Sequence, residues 1–82
     1  MDPQVLIPRF GVGTLLYGEL HVSRQHYEGG RWVLNVLWSW RKYPQRQASC
    51  ALALSGFWQG TTRKAFLAML ENCLNAPMER PS

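Results

Sequence analysis

From Leu16 to Gln25 the chain alternates, with Leu16, Gly18, Leu20 and Val22 on one side and Tyr17, Glu19, His21, Ser23 and Gln25 on the other. A period of two marks a half-buried strand, because successive side chains of extended backbone point to opposite faces. The pattern predicts a first strand from about Thr14 to Tyr27. Glu28-Gly29-Gly30 follows as a turn, and the next segment sets Trp32, Leu34, Val36, Trp38 and Trp40 on even positions, a second strand rich in core material. After a connection from Arg41 to Arg46 that contains Pro44, Ala48, Cys50, Leu52 and Leu54 alternate with Ser49, Ala51, Ala53 and Ser55. Ala and Leu are weak strand formers, so a helix over Gln45 to Leu54 competes with a third strand. The alternation favours the strand.

The apolar sets of the first two strands must share a face, which requires even-numbered residues to stand opposite even-numbered ones. A strict two-residue Gly29-Gly30 loop would pair Glu28 with Arg31 and put Leu20 and Trp38 on opposite faces. The sequence therefore predicts a three- or five-residue loop, or a glycine bulge, at this hairpin.

Thr61 or Thr62 offers an N-cap for a helix running to about Asn75, before Pro77. Phe66, Met69, Leu70, Cys73 and Leu74 form its apolar stripe. The expected fold class is α+β: a three-stranded antiparallel meander with one C-terminal helix on its even face, residues 1–82 making one small domain. Trp32, Leu34, Trp38, Leu52, Phe66 and Leu70 are the expected core. Pro3, Pro8, Gly11 and Gly13 argue for an extended arm over Met1 to Gly13, with Val5 and Ile7, and Phe57 and Trp58 before the helix, capping the ends of the core. Met78 to Ser82 are expected to be loose.

With 46% hydrophobic and 17% charged residues, the chain lies on the ordered side of the disorder boundary. Its longest uncharged run, Gln47 to Thr62, is too polar to span a membrane, and the N-terminus has neither the basic start nor the apolar length of a signal peptide. A cytoplasmic location is the resulting expectation. Cys50 and Cys73 then read as two small buried hydrophobes.

The net charge of +4 matters less than its placement. No Asp or Glu occurs from Gly29 to Leu70, where Arg31, Arg41, Lys42, Arg46, Arg63 and Lys64 lie. Such sorting favours an anionic partner, either an acidic protein surface or a nucleic acid. Two clusters carry it. Arg41, Lys42, Tyr43 and Arg46 interleave cations with an aromatic, as nucleic-acid contacts do. Thr61, Thr62, Arg63 and Lys64 set hydroxyls and cations beside the free N–H groups of a helix start, the elements of an anion site. Strand lengths of about eight residues at about 3.3 Å each put the two clusters at opposite ends of the sheet.

Candidates for catalysis are scarce. His21 and His26 are five apart, so a regular strand points them to opposite faces. The row Glu19, His21, Ser23 is what any polar strand face looks like, and Gly11-x-Gly13 lacks the preceding strand and third glycine of a dinucleotide loop. No catalytic residue, cofactor or metal site is assigned. The order of elements resembles the second half of double-stranded-RNA-binding domains, whose last helix also starts with basic residues, but Pro3 and Pro8 deny the first helix that such domains need; no family is assigned.

One helix covers one face of the expected sheet and leaves Tyr17, Val33, Leu37, Ala51 and Ala53 on the other, an apolar surface suited to self-association through sheet faces or edges as a homodimer. The expected function is a non-enzymatic protein-binding module or inhibitor that masks a partner's surface. Small motif-free proteins of phages and other mobile elements act in this way, an analogy of class only. Nucleic-acid binding is the alternative.

Overall fold

The computed structural model describes residues 3–55 and 60–79. A single 3-10 turn at Pro3–Val5 leads into helix α1, Leu6–Phe10. Four strands follow, β1 (Thr14–Leu15), β2 (Gly18–Glu28), β3 (Arg31–Trp40) and β4 (Gln47–Leu54), and then helix α2 (Arg63–Leu74). The strands form one antiparallel sheet in the order β1-β2-β3-β4. The α+β class and the C-terminal helix match the sequence pattern, with four strands in place of three. The expected Phe57 and Trp58 caps lie outside the described residues.

The extra strand arises because Leu16 and Tyr17 form a two-residue turn, with Leu15 opposite Gly18. Leu15 rather than Leu16 enters the core, and Leu16 is left 73% exposed. The expected arm is likewise replaced by a helix. Pro8 is its third residue, and the first N–H groups of a helix have no intrahelical acceptor, so the missing donor costs nothing there. Gly11 closes α1 in the left-handed region at φ 65° and donates to Ile7 O and Pro8 O. Leu6 and Val12 are fully buried, whereas Val5, expected as a cap, is 42% exposed.

Even-to-even pairing is met in the half of the hairpin that holds the core: Leu20 faces Trp38 and Val22 faces Val36. The device is not at the turn. Gly29 and Gly30 make a strict two-residue loop at φ 59° and 78°, with Glu28 opposite Arg31, and the parity is restored by a bulge at Ser23, between Val22 and Arg24. Ser23 Oγ donates to Asn35 O across the bulge. Beyond it, odd residues of β2 share a face with even residues of β3, so Tyr27 lies against Trp32 in an edge-to-face contact at 5.5 Å.

Leu34, Trp38, Leu52, Phe66 and Leu70 are buried as expected, and Trp32 is half-buried. Thr62 caps α2 by accepting from Ala65 N, and Asn75 ends it in the left-handed region. Met78, expected to be loose, instead folds back: it is fully buried and its N–H donates to Glu71 Oε2 at 2.7 Å, while Arg80 to Ser82 lie outside the described residues. Cys50 and Cys73 also differ from expectation, forming a disulfide with a Cα–Cα distance of 5.9 Å. Cys50 lies on the even face of β4, and Cys73 lies on the stripe of α2 packed against that face, so two residues expected merely to pack are brought within bonding reach.

Candidate interaction surfaces

The β3–β4 turn is ordered by its own cations. Arg41 donates its backbone N–H to Tyr17 O at 2.9 Å, Nε to Leu16 O at 3.3 Å and Nη2 to Leu15 O at 2.8 Å. One residue thus donates to three consecutive carbonyl groups of the β1–β2 turn. The Arg46 guanidinium stands 5.2 Å from the centroid of the Trp40 ring, a cation–π contact, and the Arg46 backbone N–H donates to Tyr43 O. Between these braces Lys42 and Tyr43 project outward, Tyr43 being 54% exposed. A cleft of about 200 Å³ beside the turn is lined by Glu19, Ser39, Trp40, Arg41 and Pro44.

The start of α2 is also spent largely on the fold. Thr62 Oγ1 is occupied by the cap, Arg63 Nε donates to Phe10 O at 2.8 Å, and Arg63 Nη2 pairs with Glu79. Lys64 is exposed and Thr61 half-buried. Both basic clusters therefore reach back to the same N-terminal segment, at Phe10 and at Leu15 to Tyr17. The five residue steps from Phe10 to Leu15 span at most about 18 Å. Arg63 and Arg41 thus hold two points of one N-terminal segment.

Val33, Leu37, Ala51 and Ala53 lie on the face opposite α2, with Val33 and Leu37 half-buried and the two alanines exposed. Tyr17 does not belong to that face: its place in the β1–β2 turn packs it against the core. Glu19 and His21 are 3.6 Å apart on the open face, and His26 is 3.1 Å from Glu28. The bulge puts His26 on the same face as His21 and takes Ser23 out of the Glu19–His21 row. Among the described residues no group of three or more His, Cys, Asp or Glu side chains is placed to hold a metal ion.

Sequence reasoning missed the Tyr27–Trp32 pair at the hairpin tip, where Tyr27 is 63% exposed. The strict two-residue loop pairs these residues, whereas the alternation called for a longer loop or a glycine bulge there and did not locate the bulge at Ser23. No helix among the described residues is long and apolar enough to cross a membrane. No family model, curated protein or solved structure matches this chain.

Proposed function

We propose that the protein is a non-enzymatic binding module that masks an acidic surface of a partner protein, in the manner of inhibitors carried by phages and other mobile elements. The observation that carries this reading is the braced β3–β4 turn. Arg41 fixes its base on three carbonyl groups, Arg46 is stacked on Trp40, and Tyr43 is held outward beside Lys42. A pre-ordered aromatic anchor flanked by cations loses little entropy on docking, and Tyr, Trp and Arg are the residues on which protein interfaces concentrate their energy.

The acid-free stretch from Gly29 to Leu70 favours a second reading, nucleic-acid binding with Arg41, Lys42, Arg46, Arg63 and Lys64 as phosphate contacts. Titration of short labelled single- and double-stranded oligonucleotides at several salt concentrations separates the two. A nucleic-acid binder should show a log–log salt slope that grows by about −0.7 to −0.9 per neutralised phosphate, and Lys42→Ala should flatten it by somewhat less than one unit. The masking reading expects no binding at micromolar protein in low salt. It also expects nuclease-resistant capture of a host protein that Tyr43→Ala abolishes. Capture that survives Tyr43→Ala removes the turn from the interface.

Action in the cytoplasm would set the Cys50–Cys73 disulfide against thiol reductants. Thiol titration of protein taken directly from cytosol decides the matter: two reactive thiols fit cytoplasmic action, and none places the protein in an oxidising compartment.

A further inference from the structure

We infer that β4 is a pairing edge, on which a second copy of this chain adds its own β4 antiparallel about a two-fold axis with Ala51 opposite Ala51. The Trp40 N–H to Arg46 O bond sets the phase of the β3–β4 ladder, so residues 48, 50, 52 and 54 bond inward to β3. The N–H and C=O groups of Ser49, Ala51 and Ala53 consequently point away from the sheet, and among the described residues no strand lies beyond β4 in the sheet order. The disulfide sulfur of Cys73 lies 3.5 Å from Ala51 O but carries no hydrogen to donate.

Natural sheets blunt such edges with charge, proline or a bulge. From Gln47 to Ser55 this strand has none of the three, and its ladder with β3 runs without a register shift. The choice of a second copy as occupant follows from charge and register. In a chain of net charge +4, the one uncharged edge is where like molecules meet without opposing cations. Outward-pointing groups fall on odd residues, so two β4 edges bond only if odd residues face odd ones, which puts a residue on the axis. With Ala51 there, 48 faces 54, 49 faces 53 and 50 faces 52, and the strand is used along its whole length. Ser49 and Ala53 are small enough to meet across the axis on the open face.

Two sets of measurements test this, and neither needs the partner protein of the preceding section. Light scattering should give twice the 9.4 kDa chain mass for the wild type at about 100 μM. Ala51→Lys should give a single-chain mass with unchanged far-UV circular dichroism, as should Ala51→Pro, whose N–H is not used inside the sheet. Leu37→Glu, on the open face, should leave the dimer intact. A wild type that stays single at that concentration overturns the inference, as does a dimer broken by Leu37→Glu and not by Ala51→Lys. Spin labels at positions 47 and 55 should report equal inter-chain separations, about 26 Å along the strand from the strand rise. Unequal separations overturn the Ala51 axis.

Discussion

The two edges of the sheet are built on opposite plans. On the β2 side the strand bulges at Ser23, carries Arg24, His26 and Glu28, and is closed at its first residues by β1 and the Arg41 guanidinium. On the β4 side eight residues run straight, uncharged and without a bulge, with α2 linked beneath them by the disulfide. The devices that stop one sheet from adding to another are thus present on one edge and missing from the other. In one small chain both edges meet the same solvent, so the difference marks where association is resisted and where it is open.

The largest expected effect lies between the edges. Trp38 is fully buried, faces Leu20 on β2 and Ala48 on β4, and lies against Gly18, where an added Cβ would overlap both the indole and Ser39 O. Trp38→Ala should lose about 3–5 kcal/mol, enough to unfold a domain of this size and both edges with it. A cooperative thermal melt within a few degrees of wild type would remove Trp38 from the shared core.

Effects confined to one edge come next. Replacing Cys50 and Cys73 together by alanine opens a link between residues 23 apart in sequence, worth about 3 kcal/mol by loop-closure entropy. Hydrogen exchange should then show lost protection in β4 and α2 beyond that in β1 and β2. Equal loss everywhere would mean that the disulfide braces the whole domain and not the β4 side. Arg41→Ala is the counterpart on the other side, freeing the carbonyl groups of Leu15 and Leu16 and costing about 1.5 kcal/mol in urea unfolding. Its loss of protection should concentrate in the β1–β2 turn.

The smallest effect on stability gives the sharpest contrast. Deleting Ser23 removes the bulge yet keeps Val22 and Gln25 facing inward and Arg24 facing outward, because the bulged residue is the one outside the alternation. The melt should move by less than about 1 kcal/mol, the lost Ser23–Asn35 bond included. The straightened β2 edge should associate at concentrations where the native edge does not, and light scattering reads this directly. Severe destabilisation would show instead that the bulge is needed for folding rather than for protecting the edge.

Much of the fold was legible in the alternation. Trp38, Leu34 and Leu52 were assigned to the core because period two leaves even residues of β3 and β4 one face, and Thr62 and Asn75 bound α2 as their capping chemistry requires. The braced turn was legible only in part: Arg41 and Arg46 were visible as a cluster, but their acceptors, the Leu15, Leu16 and Tyr17 carbonyls and the Trp40 ring, were not. The sequence by itself determined the hydrophobic face of each long strand, the helix and its caps, the acid-free stretch, and the need for one change of parity in the first long hairpin. Tertiary structure decided where that change falls, which end of the Leu15–Leu16 pair is buried, that Pro8 lies inside a helix, and that Cys50 meets Cys73. The division has a physical cause. Periodicity and capping act between residues a few positions apart, so they are written locally, whereas a bulge, a disulfide or an arginine on a distant carbonyl depends on distances set only when separate segments have packed.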